Sequence, residues 1–421
     1  MRVLIVGTNR ACHERLRAAG HELVLMVPRS KLSPADTSDR YRHVVVLDDT
    51  AELNVWVGLA SALHQEQAFG AVAAFNEGTY EIVDAISSAL SVPCTIDVAL
   101  FERVRDKARA RAIVTEAGIV NCRYVQARGR TDIRRAIDLI GLPCIVKPVD
   151  AEGSVAVHRI DSTDTIDTVL NMVSADRLAG PMLVEELLVG AEFSVEGLSN
   201  GTRHQIVAIT KKYIDGKTFV ECGHLVPAPI SEADSAEIVG YVTEVLDALG
   251  FHDCPSHTEI MLTADGPRLI ETHNRIGGDR IMDLVRHATG IDLYELVARQ
   301  AIGEPLDHLP ANLPTLSHAA VWFANPVAGP ELTLSHVTGL QQARELAGVQ
   351  TVEVVKPLGS RQSPGSASSE RSALAVALGS TAQRALTAAW TAIDSLTFDF
   401  RWAPPVADKP PTAVESDGRQ A

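Results

Sequence analysis

Glu259 and Glu271 lie in a stretch, S-H-T-E-I-M-L-T-A-D-G-P-R-L-I-E-T-H-N-R-I-G-G-D, whose middle, Ala264-Asp265-Gly266, is a turn signal. The stretch reads as a β-hairpin with arms Ser256–Leu262 and Arg268–His273. A turn centred on Asp265 sets Glu259 opposite Glu271, and opposed strand residues stand about 4.5–5.5 Å apart at Cβ. Carboxylates that close repel each other unless a cation lies between them. Hard divalent cations take oxygen ligands and leave positions for substrate phosphates. Arg275 adds a fixed positive charge, and Gly277-Gly278 lets backbone come close to a ligand. Asp279 follows, able either to hold a substrate ammonium or to cap the next helix. The plainer reading, an exposed turn with two solvated acids, leaves the Arg-Ile-Gly-Gly-Asp run unexplained.

Other chemistry-bearing residues fall upstream. In L-P-C-I-V-K-P a strand ends on Lys147 and is followed by Asp150–Val157, a small-residue loop containing Gly153 and Ser154. Loop amides beside a lysine make a phosphate grip. Beyond Gly190 an alternating strand sets Glu192, Ser194 and Glu196 on one face, which reads equally as a half-exposed strand. Glu221 and His224, in F-V-E-C-G-H-L-V-P-A, could meet a substrate amine and carboxylate, or lie in a surface loop. Gly216-Lys217-Thr218 lacks the earlier glycine of a P-loop and is rejected as one. Asn76-Glu77-Gly78 follows a strand at the ligand-binding edge of a parallel sheet and could also be a helix cap.

The order of these motifs resembles the ATP-grasp superfamily, and most nearly its carboxylate–amine ligases of the L-amino acid ligase type. Glu259 matches the first metal-binding Glu of that family, Glu271 the Glu of its Glu-x-Asn-x-Arg element, and Arg275 the Arg. His273 stands where Asn is usual, with Asn274 after it, so either could be the third ligand. Strand parity puts His273 on the face of Glu271, and His257 pairs across from it as packing or support. The resemblance implies ATP and Mg²⁺ as cofactors, and a histidine ligand would also admit Mn²⁺. It places Lys107, in R-D-K-A-R-A-R-A, on the nucleotide phosphates. It makes Glu185 to Leu188 the adenine hinge, Glu192 the ribose acceptor, and Glu221 and His224 substrate contacts. Amide formation through an acyl phosphate would follow, with Arg275 on the developing oxyanion. Two other readings stand beside it: a carboxylase activating bicarbonate, although no A-M-K-M biotin sequence is present, and a nucleotide binder without catalysis.

The elements that must position these residues are α/β and α+β in class. Strands at Val3–Val6, Glu22–Val27, Val44–Leu47 and Ala71–Phe75 alternate with helical patterns such as Ala51–Gln67 and Tyr80–Leu90, as a parallel sheet requires. Phe101–Ala117 reads as one basic helix with a solvated charged face. The expected units are an N-terminal α/β domain over 1–95, a central ATP-grasp subdomain over 96–180, a catalytic subdomain over 181–310, an α+β domain over 311–402, and a disordered tail over 403–421. A net charge of −15 argues against nucleic acid as a partner. Six scattered cysteines and no transmembrane-length apolar run predict a cytoplasmic protein with no membrane partner. Small-molecule carboxylate and amine substrates are the expected partners, and a homodimer is left open.

Overall fold

The computed structural model describes residues 1–150, 156–173, 175–216, 218–306, 309–310, 313–325, 332–362 and 368–402. Strands β1 (Arg2–Val6), β2 (Glu22–Pro28), β3 (His43–Leu47) and β4 (Ala71–Ala74) form a parallel sheet in the order β3-β2-β1-β4. Their near-continuous apolar runs suit strands covered on both faces. Helices Leu53–Glu66 and Tyr80–Leu90 bury Trp56, Val83 and Ile86 against one face. The other face packs on helices Ile281–Thr289 and Leu293–Ala301, which follow the hairpin in sequence. The N-terminal sheet is thereby fixed to the chemistry-bearing half, and the carboxyl ends of β1 and β4 face it.

A second sheet is antiparallel: β5 (Tyr124–Arg128), β6 (Cys144–Pro148), β7 (His158–Ile160) and β8 (Pro181–Glu186), in the order β5-β8-β6-β7. Helix Gly129–Ile140 covers it with Ile133, Ala136, Ile137 and Ile140. β6 ends on Lys147 and Pro148, as the sequence expects.

The third sheet is the long one. β9 (Gly190–Asn200), β10 (Arg203–Ile214), β11 (Glu221–Val226), β12 (Pro255–Thr263), β13 (Gly266–His273) and β14 (His318–Ala324) belong to it. β15 (Leu332–Thr338), β17 (Arg361–Gln362) and β19 (Thr397–Trp402) form a small separate sheet, while β16 (Val349–Val354) and β18 (Ala373–Gly379) extend the long one. Its order is β13-β12-β9-β10-β11-β14-β18-β16. It runs without a break across the division expected at 310, because β14 pairs directly with β11.

Two expectations are corrected. Phe101–Ala117 is two helices, Val98–Arg105 and Lys107–Glu116, because Asp106 turns extended and accepts from the amides of Ala108 and Arg109. A capping carboxylate there competes with helix continuation and sets Lys107 at the first position of the second helix. Glu221–Val226 is a paired inner strand and not a surface loop. The expected disordered tail over 403–421 and Ser154 lie outside the described residues.

Candidate active site

The hairpin pairs Glu259 with Glu271 and His257 with His273. The two-residue turn alone would pair Glu259 with residue 270. A bulge changes this: Ile260 pairs with Leu269, and Ile270 is the extra residue that brings Glu271 opposite Glu259. β12 also pairs with β9, which aligns His257 with Glu196 and Glu259 with Ser194. The resulting stripe of polar residues is buried within the sheet and is not a half-exposed edge.

Each opposed carboxylate is met by an ammonium. Lys107 Nζ lies 2.9 Å from Glu271 Oε2, and Lys212 Nζ lies 2.5 Å from Glu259 Oε1. Lys212 also reaches Glu192 at 2.9 Å and Glu221 at 3.5 Å, so one buried cation balances three acids. Burial, the largest single influence, would raise the Glu259 carboxyl, but the Lys212 ammonium and His257 together outweigh it and hold the group at about 2. Burial likewise opposes ionisation of Glu271, and Lys107 and His273 together override it, so this carboxyl lies well below its ordinary range. Burial dominates at Glu192, whose carboxyl is raised despite Lys212.

Behind each carboxylate stands a histidine, and behind each histidine another glutamate. His257 Nδ1 is 2.8 Å from Glu196, and its Nε2 is 3.3 Å from Glu259 Oε1. His273 Nδ1 is 2.9 Å from Glu77, and its Nε2 is 3.3 Å from Glu271 Oε1, near enough for attraction but off the line of a hydrogen bond. The two rings stack with centroids 6.2 Å apart. Asn274 turns toward a different, smaller cavity; its backbone carbonyl accepts from Tyr80 Oη at 3.1 Å. Of the two third-ligand candidates, His273 is the one beside Glu271. Glu77 comes from the carboxyl end of β4 and lies 3.5 Å from Arg275 Nε, so the N-terminal sheet helps fix both His273 and Arg275.

On the central-sheet side, Lys147 Nζ lies 2.6 Å from Glu185 Oε2, and Arg111 pairs with the other oxygen. Burial raises the Glu185 carboxyl, but Arg111 and then Lys147 lower it further, to about 2. Glu185 thus sits beneath the site and acts on it through Lys147. Along the hinge, the amide of Glu186 donates to Arg123 O at 3.1 Å and that of Leu187 to Pro143 O at 3.3 Å. Leu188 is half-buried just past β8.

Toward the C-terminal strands, His224 Nε2 is 3.4 Å from Asp279 Oδ2. Arg371, immediately before β18, donates to Asp279 Oδ2 at 2.7 Å and to Glu221 Oε2 at 2.8 Å. Asp279 does not cap the following helix, whose N-cap is Arg280 in a left-handed conformation. Gly277 makes room for protein more than for a ligand: a Cβ there would stand 2.9 Å from both Glu196 Oε2 and His257 Nδ1. At Gly278 a Cβ would meet nothing within 4 Å.

One cavity gathers Lys107, Lys147, Glu192, Glu221, His224, Glu259, Glu271, Arg275, Gly278 and Asp279, together with Lys212. Glu185, Leu188, His273, Asn274 and Gly277 do not line it. Lys212, Arg111 and Arg371 are site residues that sequence reasoning did not select, and Glu77 stands out in the sequence only within Asn76-Glu77-Gly78 at the sheet edge, not as the partner of His273. Among the described residues no three His, Cys, Asp or Glu side chains stand ready as a metal cage. The donor chemistry nevertheless fits a hard divalent cation. Two opposed carboxylates already hold cations, and His273 Nε2 is buried without a hydrogen-bond partner. A cation arriving with phosphate oxygens would complete its shell from the nucleotide.

Residues 140–283 match the ATP-grasp domain family, and residues 330–401 match L-amino acid ligase C-terminal domain 2. The uncharacterized protein y4rH of Sinorhizobium fredii is 26% identical over 359 residues, 82% of this chain and 73% of that protein. The alanine–anticapsin ligase of Bacillus subtilis is 28% identical over 218 residues; the match takes in 47% of this chain and 46%, about half, of that ligase. The crystal structure of an L-amino acid ligase from Bacillus licheniformis superposes with a TM-score of 0.81 at 22% identity, covering 95% of this chain and 98% of that one. The last likeness shows a common fold through the C-terminal strands. Among the described residues no helix is long and apolar enough to cross a membrane.

Proposed function

We propose that this chain, which belongs to the ATP-grasp superfamily and ends in an L-amino acid ligase C-terminal domain, is an ATP-dependent carboxylate–amine ligase acting on amino acids. The observation that carries the reading is the pair of opposed carboxylates, each holding an ammonium it can release to a phosphate. A carboxylate is a poor acyl donor. One of its oxygens attacks the γ-phosphorus of ATP, the bond from phosphorus to ADP breaks, and an acyl phosphate forms. An amine nitrogen then adds to the acyl carbon, loses a proton, and expels phosphate as the amide forms. Such transfers rest on positioning and charge neutralisation more than on covalent help.

Lys107, Lys147 and Lys212 grip the phosphates, and Glu185 sets the position of Lys147. Backbone near Leu188 reads the base edge, and Glu192 accepts from the ribose once Lys212 turns to phosphate. Glu259, Glu271 and His273 would hold the divalent cation, Mg²⁺ or Mn²⁺, which screens the phosphate charge. Arg275 stabilises the oxyanion of the tetrahedral species. Glu221, His224 and Asp279 face the substrates, and the open space at Gly278 leaves them room. The C-terminal ligase domain and the kinship with an alanine–anticapsin ligase favour amide formation over bicarbonate activation and over nucleotide binding without turnover.

The test is ADP and phosphate release from Mg·ATP across amino acids offered singly and in pairs. Release should need a pair and should fall about 100-fold or more in Glu271→Gln, the loss of a main charge-positioning group. Release driven by bicarbonate alone would favour the carboxylase reading. ATP bound without turnover under every condition, including wider acid and amine panels with Mn²⁺, would favour the non-catalytic one.

A further inference from the structure

A second cleft adjoins the first and shares Gly278, Asp279 and Ser368 with it. Its far wall includes Asn9, after β1, and Tyr294 and Phe323. Arg371 stands at the junction. It arrives from the C-terminal domain, yet its side chain is 5% exposed and its guanidinium stacks 3.8 Å from the centroid of Phe323. One arm bonds Asp279 Oδ2, and the other bonds both the carbonyl and the carboxylate of Glu221. Its Nε is buried with no acceptor. Glu221 is 150 residues away in sequence and Asp279 is 92. A planar fork of this kind fixes the separation and angle of both acids, which a lysine point charge does less well.

Both acids it holds line the first cavity, and Asp279 lines the second as well. Glu221 already shares Lys212 with Glu192 and Glu259, and Asp279 is kept ionised by His224 and Arg371 against the cost of burial. Asp279 Oδ2 takes both of those contacts, and its side chain remains 33% exposed where it lines both cavities. An ionised carboxylate here would keep a bound amine protonated and therefore unreactive. The ammonium it suits is one that does not react, the amino group of an amino acid whose carboxylate is being activated.

Resting on the ligase reading, we propose that Arg371 is a positioning residue of the reaction. Through it the C-terminal domain sets Asp279 and Glu221 for the ammonium of an amino acid substrate at the junction of the two cavities. Arg371 itself touches no reacting atom.

The test is binding of L-amino acids, each beside its N-acetyl counterpart, to the full chain with a non-hydrolysable ATP analogue present. Isothermal titration is run on native protein, Arg371→Met and Arg371→Lys, with melting temperatures recorded for all three. Amino acids bound by the native chain should bind about ten-fold more weakly to folded Arg371→Met, with partial recovery in Arg371→Lys. The N-acetyl forms should not bind. Unchanged affinity in folded Arg371→Met, N-acetyl forms bound as tightly as the free ones, or no amino acid bound by native protein would overturn the proposal. ADP release is followed in parallel: its absence beside intact amino-acid binding counts against the ligase reading and leaves Arg371 its role.

Discussion

At the scale of single residues, the site depends on buried charges that are paired. Glu185 makes this testable through pH. Its carboxyl lies at about 2 in the folded chain against 4.5 ordinarily. A depressed carboxyl stabilises fully above its unfolded value and loses that contribution as pH falls through the folded one. The folded chain should therefore lose on the order of 3 kcal/mol from this group between pH 5 and pH 2. Glu185→Gln should flatten that acid limb. It should also lower stability at pH 7 by about 3–5 kcal/mol, because Arg111 and Lys147 would be left buried beside a neutral amide. Urea midpoints across pH 3 to 7 read both effects; an unchanged slope in the variant would refute the pairing. The sequence shows why such residues are hard to find in advance. In Lys211-Lys212 neighbouring strand residues face opposite ways, so one lysine had to leave the polar stripe, and nothing local says which. Lys211 goes to the ring of Phe193, at 4.6 Å, and Lys212 goes to the acids. Arg111 sits in a run of charges that reads as a wet helix face, yet it is fully buried.

At the scale of elements, much of the architecture was legible. The apolar runs of β1, β2 and β4, the helix Tyr80–Leu90 and the arms of the hairpin stand where local pattern puts them. Pairing of Glu259 with Glu271 was also expected, but the device that achieves it was not, since a bulge at Ile270 leaves no compositional mark. β15 and β19 were not anticipated either; they pair with each other across long sequence separation. The Arg275–Asp279 loop gives this scale its prediction. Gly277→Ala forces a Cβ against the Glu196–His257 pair, whose partners are buried and cannot withdraw. It should cost about 1–3 kcal/mol and reduce turnover by moving His257 off Glu259. Gly278→Ala, with open space around it, should stay within about 0.5 kcal/mol of native. Paired melting curves and ADP-release rates decide this. Equal costs at the two glycines would mean that room for the histidine pair is not what Gly277 supplies.

At the scale of the whole molecule, the site belongs to no single unit. The N-terminal sheet sends Glu77, the central sheet Lys147, the long sheet Lys212, Glu259 and Glu271, and the C-terminal strands Arg371. Glu77 is legible only as a residue at the ligand-binding edge of the sheet, and Arg371 could not be read from sequence, because nothing local marks a partner so distant. The division at 310 falls after the helical pieces that follow the hairpin, whereas the sheet continues through it. A chain ending at residue 310 would lack β14 and β18. It would expose the β11 edge and lose Val321, Phe323, Leu374 and Val376 from the core shared with the N-terminal sheet. Such a chain should be insoluble or lack a cooperative transition in calorimetry. A soluble 1–310 fragment that melts sharply and binds ATP would show instead that the C-terminal strands are an accessory.

The lysines on Glu259 and Glu271 have a thermodynamic consequence for the ligand-free chain. Its acids are not waiting for a cation but already have internal counter-ions. Metal entry at these carboxylates would then be an exchange, in which each ammonium gives up a carboxylate and takes a phosphate. Neither ligand would complete that exchange alone, so nucleotide and metal should each raise the affinity of the other, and by linkage by the same factor. The enzyme would read the two as one composite ligand and stay indifferent to free divalent ions at concentrations where the complex saturates it.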